Sequence, residues 1–321
     1  MNRTMIKKKL LKLITSTIKL FLPLLSRLFI KLRVNKRVIN YLNDKSFLSN
    51  NYYNFSNIID SLLIDEKIFA LDVGAQGGFN CDQFFSKKYN NFFEPILVEP
   101  IEGEAKKLKN NYKYVINKGL WSSEGKKKIY ILGNRPGSSS MYIPNKEFFK
   151  IHSIRDVDYD KFNVTETIEI DCVTLGIALR NLNINRLDYL KLDTQGSELE
   201  ILKGMGGYKP LLIRTEVHIN SMYKNVPSWG DLLKFFSDMN YIPCDWKSIG
   251  SHSTRIPAEM DIVFIPNFKT NVGKDLIVEN EKKFTSLMLI FGQLELLKQI
   301  GDDLKLDSIK TISSFEDRFF F

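Results

Sequence analysis

The stretch that most constrains this chain is a short apolar run that ends in a glycine-rich turn. It reads Phe69-Ala70-Leu71-Asp72-Val73-Gly74-Ala75-Gln76-Gly77-Gly78-Phe79. An apolar run with charge before it and glycine after it is typical of a buried parallel strand that breaks into a turn and then a helix. Because glycine has no Cβ, Gly74 and Gly78 allow a ligand close to the backbone. The stretch predicts a cofactor-binding edge; a turn that binds nothing is the alternative.

The charge of Asp72 narrows the class of ligand. The dinucleotide pattern G-x-G-x-x-G is absent, because residue 76 is Gln and the turn reads D-x-G-x-x-x-G. A carboxylate beside the turn repels a diphosphate, but it accepts hydrogen bonds from a cationic amino-acid ligand such as the methionine part of S-adenosylmethionine (SAM). The residues of the turn that we expect to contact SAM are Asp72, Val73, Gly74, Ala75, Gln76 and Gly78.

A second apolar run, 94–100, ends in a carboxylate 27 residues after Asp72. In a doubly wound sheet, the acidic residue at the end of the second strand accepts hydrogen bonds from both ribose hydroxyls. Glu99 has that place. The further residues that we expect to contact the cofactor are Pro100, Asn117, Leu120 and Asp193.

The charge of the chain is concentrated at its start. Residues 1–40 contain eleven Lys or Arg and no acid, so the remaining 281 residues carry −2 of the total of +9. No nucleic-acid recognition motif accompanies the basic pI, and we expect no nucleic-acid partner. Residues 10–34 are mostly apolar, but Lys12, Lys19, Pro23 and Arg27 interrupt this stretch, which disfavours a membrane-spanning helix. The mixture of apolar and basic residues favours an amphipathic segment that either contacts an anionic membrane or packs on the catalytic domain.

Three widely spaced cysteines, Cys81, Cys172 and Cys244, indicate a reducing compartment without a disulfide framework. We therefore expect a cytoplasmic protein, peripheral at the inner face of a membrane if the basic segment binds lipid. No Cys/His cluster has zinc spacing, and we assign no metal ligands. A divalent ion held by a pair of carboxylates, Asp193 and Glu216, stays open as an alternative.

Strands alternate with helices through most of the chain, which predicts an α/β fold with a mostly parallel sheet. We expect a basic segment at 1–45, a catalytic domain at 46–270 and a helical extension at 271–321. Predicted helices include Phe79 to Lys88 and a helix to Leu202 that Ser197 caps. Lys127 to Leu132 and Thr167 to Cys172 are expected to form an antiparallel pair, and 219–260 reads largely as a loop with one helix, Ser228 to Met239.

Several polar residues end predicted strands or follow them directly, where open α/β sheets bind ligands. They are Asp72, Glu99, Asn117, Asp193 and His218. Their convergence on one crevice predicts a single site.

The motifs, in chain order, resemble the FkbM family of SAM-dependent methyltransferases. They are Asp72-Val73-Gly74-Ala75, Val98-Glu99-Pro100, Gly119-Leu120-Trp121 with Gly125, Ser138-Ser139-Ser140, Leu190-Lys191-Leu192-Asp193-Thr194-Gln195-Gly196-Ser197-Glu198 and Glu216-Val217-His218. The resemblance covers roughly 65–265, and its D-x-Q-G-x-E segment is the most specific part. At residue 76 the family usually has Asn, where this chain has Gln.

The resemblance implies a class I, Rossmann-like methyltransferase fold with SAM as cofactor. It also implies an O-methyltransferase that acts on a sugar or another hydroxylated compound. Two alternatives stay open: a non-catalytic SAM-fold module tethered to a membrane, and a nucleotide-sugar enzyme on the same sheet.

Methyl transfer from a sulfonium is an in-line displacement, so the protein mainly positions the reactants and removes the hydroxyl proton. His218 is the predicted general base, because an imidazole titrates near neutrality and this one lies at the carboxyl edge. Asp193 and Glu216 are the other predicted catalytic residues, either of which orients the histidine or takes the proton itself.

Overall fold

The structure is a computed structural model that describes residues 55–148, 162–249, 258–310 and 312. The basic segment predicted at 1–45 lies outside these residues, so its membrane contact stays a prediction, as do the domain boundaries. A search of the described helices finds none with the length and apolar character needed to cross a bilayer.

The described part of the chain contains two β-sheets. The strands are β1 (Ile68–Val73), β2 (Phe93–Val98), β3 (Tyr114–Ile116), β4 (Gly119–Leu120), β5 (Gly125–Leu132), β6 (Val164–Val173), β7 (Tyr189–Leu192), β8 (Leu212–His218), β9 (Tyr241–Ile249) and β10 (Glu259–Pro266). The larger sheet has seven strands in the order β3-β2-β1-β7-β8-β10-β9. Its pairs from β3 to β8 are parallel, and β10 runs antiparallel to both β8 and β9. The predicted mostly parallel α/β sheet is confirmed.

Helices cover both faces of this sheet. They are α1 (Ser56–Leu63), α2 (Glu102–Lys109), α3 (Leu175–Asn181), α4 (Glu198–Lys203), α5 (Trp229–Asp238), α6 (Asn271–Val278), α7 (Glu281–Ile290) and α8 (Leu294–Leu304). Side chains of β1 alternate between the two resulting cores. Ala70 packs with α1, α7 and α8, whereas Leu71 and Val73 pack with α3, α4 and α5. This alternation follows from the period of two in a strand.

The carboxyl ends of β1 and β7 mark the switch point of the sheet. From β1 the chain continues to β2 and β3 on one side, and returns through β7 and β8 on the other. Ligands of open α/β sheets lie at this point.

A small three-stranded sheet, in the order β4-β6-β5, follows β3. Its strands β5 and β6 pair antiparallel from Gly125–Cys172 to Leu132–Val164. The antiparallel pair predicted for this part of the chain is confirmed. One face of the small sheet carries Ile129, Ile170 and Cys172, which pack together.

The C-terminal helices belong to the same core as the sheet. Leu287, Ile290, Leu297 and Ile300 are buried. Lys283 Nζ lies 3.0 Å from Asp188 Oδ2, and the same carboxylate accepts a hydrogen bond from the Phe69 amide. These four apolar residues recur at helical spacing, and their burial in the core explains that pattern.

The helix predicted from Phe79 to Lys88 is wrong. The segment forms turns and then a 3₁₀ helix, Lys87–Phe92. Asn80 and Gln83 have left-handed backbone angles (φ +51° and +55°), and the Asn80 amide donates to the Phe85 carbonyl over 3.0 Å. Side-chain bonds of this kind compete with helix formation.

Two smaller predictions are also wrong. The stretch 219–260 holds strand β9, at the edge of the sheet beside β10. Ser197 precedes α4 as expected, but its side chain makes no capping hydrogen bond.

Candidate active site

A cavity of about 200 Å³ lies at the carboxyl edge of the sheet, over the ends of β1, β2 and β7. It brings together seven residues predicted to contact a cofactor. They are Val73, Gly74, Gln76, Glu99, Pro100, Leu120 and Asp193. A crevice is therefore present at the switch point, but only two of the five strand-end residues named from the sequence line it, Glu99 and Asp193. Asp72, Asn117 and His218 lie outside its lining.

Four other predicted cofactor residues lie outside the cavity lining. Ala75 is fully buried. Asn117 donates through its amide to the Glu99 and Pro100 carbonyls, over 3.0 and 3.1 Å. Asn117 thus holds the turn that carries Glu99 and does not face the cavity.

Asp72, the third of them, is 1% exposed and forms an ion pair with Lys191, whose Nζ lies 3.0 Å from Asp72 Oδ1. Burial lowers the pKa of Lys191, but the carboxylates of Asp72 and Asp193 outweigh it and raise that pKa above its usual value. Asp72 is therefore a buried partner of a lysine below the glycine turn.

The glycines of the turn make room for protein atoms. A Cβ on Gly74 would lie 2.0 Å from the Asp193 carbonyl oxygen, and one on Gly78, the fourth residue outside the lining, 2.7 Å from the Tyr112 hydroxyl. Both glycines also have positive φ, +81° and +96°. The expectation that they clear a path for the ligand needs correction: they permit close approach of β7 and of Tyr112.

Glu99 is the acid at the wall beside β2. Its Oε1 accepts a hydrogen bond from the Ile101 amide over 2.9 Å. Burial raises the pKa of Glu99 to about 6, against the opposing effect of that hydrogen bond. The carboxylate is charged at neutral pH and can accept hydrogen bonds from hydroxyl groups in the cavity.

The D-x-Q-G-x-E segment forms a loop folded around the buried carboxylate of Glu198. Glu198 Oε1 accepts from the Thr194 amide and hydroxyl, and Oε2 accepts from the Gly196 amide over 3.0 Å. Gln195 and Gly196 have φ of +58° and +116°. The carboxylate thus supplies the acceptor for two loop amides, those of Thr194 and Gly196, so the fold of this loop depends on a glutamate two residues after the glycine.

Gln195 connects the two acids predicted to be catalytic. Its Nε2 donates to Asp193 Oδ1 over 3.2 Å and to Glu216 Oε2 over 2.5 Å. Its Oε1 lies 2.9 Å from the Tyr223 hydroxyl, which also lies 2.6 Å from the Ser138 carbonyl. The single hydroxyl proton serves one of these acceptors at a time.

The serine loop closes over the same segment. Ser140 Oγ donates to the Gln195 carbonyl over 2.7 Å, and Ser139 and Ser140 line the cavity. The loop thereby joins the small sheet to the end of β7.

Ser197 also lines the cavity, although its side chain is almost fully enclosed. The residue is 1% exposed, and its Oγ has no hydrogen-bond partner among the described residues. An unpaired buried hydroxyl costs free energy, so it is a candidate contact for a bound molecule.

Of the three predicted catalytic residues, Asp193 lines the cavity, whereas Glu216 and His218 do not. His218 is 6% exposed; its Nε2 lies 4.0 Å from Glu216 Oε2, and neither ring nitrogen has a hydrogen-bond partner among the described residues. Burial lowers the pKa of His218 to about 4, so the imidazole is neutral at physiological pH. Burial and the nearby Asp193 and Glu259 carboxylates raise the pKa of Glu216.

Sequence reasoning missed Asp82, Lys191 and Gln195, all of which line the cavity. The available signals were a lysine inside the apolar strand β7 and a glutamine in the glycine-containing loop after it. Asp82 gave no signal, because its segment reads as a helix. A search of the described residues finds no group of three or more His, Cys, Asp or Glu placed to hold a metal ion.

Comparison with known proteins identifies the family. The family model of the methyltransferase FkbM domain matches residues 72–243, which is more than half of the chain. The chain belongs to the FkbM methyltransferase family. The match starts at Asp72 and includes the glycine turn, Glu99, the loop 193–198 and His218. FkbM methyltransferases take their methyl group from SAM.

One solved structure that resembles this FkbM chain is the methyltransferase domain of bacterial CtHen1-C. It is 11% identical, with a TM-score of 0.31, and the alignment covers 66% of this chain and 96% of that one. No curated protein matches the chain.

Proposed function

We propose that this chain is an SAM-dependent O-methyltransferase that acts on a hydroxyl of a sugar, a glycan or a related hydroxylated metabolite. One observation carries the proposal: a single cavity at the switch point joins the Gly74 turn, the Glu99 carboxylate and the Asp193 carboxylate. Bound SAM would supply an electrophilic methyl group on a sulfonium.

The chemistry of the cavity wall suits SAM. Next to Glu99, the wall is apolar, with Val98, Pro100, Ile101 and Leu120. An acid that accepts hydrogen bonds from ribose hydroxyls beside a surface for a flat base is an adenosine-binding arrangement. The other end of the cavity carries the charged side chains of Asp82, Lys191 and Asp193, which suit a charged amino-acid tail.

Asp193 is the general base in this proposal. It lines the cavity, and Gln195 and Lys191 fix its two carboxylate oxygens, Oδ1 at 3.2 Å and Oδ2 at 3.5 Å. A held carboxylate can remove the hydroxyl proton as the acceptor oxygen attacks. His218, the base predicted from the sequence, is enclosed behind Glu216, and we assign it a packing role against Tyr223, whose ring lies 5.4 Å away.

The proposal of a hydroxylated acceptor is supported by the polar groups of the cavity. The side chains that can hydrogen-bond to hydroxyls are Gln76, Ser139, Ser140, Thr194, Gln195 and Ser197. Ile129 and Met141 give the same cavity an apolar surface.

A methyl-transfer screen tests the proposal. Full-length protein is incubated with SAM carrying a labelled methyl group and with free sugars, nucleotide sugars and isolated cell-surface glycans, and products are identified by mass spectrometry. Label in an ether-linked methyl on an acceptor, lost in the Asp193→Asn variant, supports it. SAM binding without transfer to any acceptor favours the non-catalytic module, and binding of nucleotide sugars but not SAM favours the nucleotide-sugar enzyme.

For residues 1–40, we propose peripheral contact with the inner face of a membrane from the cytoplasmic side. Eleven basic residues without an acid supply the attraction to anionic lipid. Full-length and truncated proteins are compared in co-sedimentation with anionic vesicles at low salt. Loss of binding on truncation supports the contact, and equal binding contradicts it.

A further inference from the structure

The sheet order indicates where the amino-acid end of a bound SAM must lie. Glu99 follows β2, Gly74 follows β1, and Lys191 is the penultimate residue of β7, so the three lie at the carboxyl ends of successive strands along one edge. Adjacent strands are about 4.8 Å apart. A ligand with its ribose at Glu99 therefore extends past Gly74 towards β7 and β8. This step rests on the proposed function.

Asp72 is the acid expected from the sequence to bind the ligand's ammonium group, but it is not available. Its carboxylate lies below the turn, outside the cavity lining, and is bonded to Lys191. The ammonium group needs another acid near the β7 and β8 end.

Asp82 meets this requirement. It lines the cavity, and its side chain is 33% exposed. Its Oδ2 accepts a hydrogen bond from Arg214 Nη1 over 2.5 Å, and its Oδ1 lies 3.4 Å from the Phe84 amide. The loop aspartate is thus tied to strand β8.

Arg214 is itself held rigidly. Its Nε and Nη2 donate to the two oxygens of Asp261, over 3.0 and 2.9 Å, and its guanidinium carbon lies 3.9 Å from the centre of the Phe84 ring. Because the pair with Asp261 and the Phe84 ring already hold the Arg214 side chain in place, Arg214 loses little conformational entropy when it binds Asp82. Arg214 therefore holds the Asp82 carboxylate in position at the cavity.

Lys191 supplies the opposite charge beside it. Its Nζ contacts Asp72 Oδ1 at 3.0 Å and Asp193 Oδ2 at 3.5 Å, and the residue lines the cavity. An ammonium has three N–H donors, so these two carboxylates leave one for a further acceptor.

We propose that Asp82 and Lys191 form a zwitterion clamp, in which Asp82 binds the α-ammonium group and Lys191 the α-carboxylate of the methionine part of SAM. The opposite charges and their location beyond Gly74 match the charged end of an α-amino acid. The clamp gives the site selectivity for ligands that carry an intact amino-acid tail over bare adenosine thioethers.

Ligand truncation tests the clamp on the full-length protein. Calorimetric titrations compare S-adenosylhomocysteine with 5′-methylthioadenosine, which lacks the amino-acid tail, and with decarboxylated S-adenosylhomocysteine, which keeps the ammonium group alone. All three have an uncharged sulfur, so only the tail differs. Each lost charged contact is expected to weaken binding about ten- to hundredfold.

The Asp82→Asn variant completes the design. It should weaken S-adenosylhomocysteine and its decarboxylated form about ten- to hundredfold and leave 5′-methylthioadenosine within about twofold of the wild type. Glu99→Gln is the matched control and should weaken all three ligands by the same factor.

Three outcomes overturn the clamp. In the first two, Asp82→Asn weakens the binding of 5′-methylthioadenosine as much as that of the other two ligands, or weakens the binding of no ligand. In the third, the wild type binds the decarboxylated ligand as tightly as S-adenosylhomocysteine. The last comparison needs no variant. If the wild type binds none of the three ligands, the proposed function itself fails, and this result is distinct from failure of the clamp alone.

Discussion

Lys191 Nζ lies 3.0 Å from Asp72 Oδ1, and both side chains are almost fully buried. Removing one partner of a buried ion pair leaves the other charge uncompensated. We expect Lys191→Met to lower the free energy of unfolding by about 3–5 kcal/mol. The double variant Lys191→Met/Asp72→Leu should recover most of this loss in urea denaturation. A double variant no more stable than Lys191→Met would contradict the pairing.

Gly74→Ala is predicted to destabilise the fold by more than about 2 kcal/mol, because positive φ and a clash with the end of β7 act together. The added Cβ would lie 2.0 Å from the Asp193 carbonyl oxygen. Gly103→Ala is the matched control: Gly103 lies in α2, where a Cβ has no atom within 4 Å. That change should stabilise by about 0.5–1 kcal/mol. Similar urea midpoints for the two variants would refute the structural role of Gly74.

The sequence predicted the sheet and the Glu99 wall because both depend on local pattern. Apolar runs specify β1 and β2, and an acid at the end of β2 follows from strand spacing alone. The role of Asp72 could not be predicted, because its partner Lys191 lies 119 residues away in the chain. The same applies to Asp82, which Arg214 positions from β8 across 132 residues. Spacing identifies strand ends but does not tell which charges pair beneath them.

SAM affinity should depend on pH through Glu99. Burial raises the pKa of this carboxyl to about 6, and the charged form is the better acceptor for ribose hydroxyls. Affinity should therefore be highest above pH 7 and fall as the pH drops through 6. Calorimetry from pH 5 to 8 measures this, with Glu99→Gln expected to flatten the profile. Glu94→Gln, on the same strand but outside the cavity lining, should keep the wild-type profile; an unchanged profile in Glu99→Gln would remove Glu99 from the site.

Ser197→Ala is expected to separate stability from binding. The Ser197 hydroxyl has no partner among the described residues, so its removal should leave the urea midpoint unchanged or slightly raised. SAM affinity should fall about two- to tenfold if the ligand supplies the missing partner. Ser140→Ala, which loses the 2.7 Å bond to the Gln195 carbonyl, should instead destabilise by about 1–3 kcal/mol. Unchanged SAM affinity in Ser197→Ala would exclude this contact.

Asp193→Asn should lower kcat about 10²–10⁴-fold, the usual contribution of a general base. His218→Gln should lower it much less, because the imidazole nitrogens are enclosed outside the cavity lining. Kinetics with the acceptor found in the methyl-transfer screen measure both. A loss of kcat in His218→Gln equal to that in Asp193→Asn, with SAM affinity unchanged, would return the base assignment to the histidine.

The most direct test of the central claim is a calorimetric titration of the full-length protein with SAM. The cavity joining Gly74, Glu99 and Asp193 predicts saturable binding of one SAM per chain, with competition by S-adenosylhomocysteine and weakening by Glu99→Gln but not by Glu94→Gln. Absence of saturable SAM binding, or equal binding by both variants, would contradict the assignment of this cavity as the SAM site.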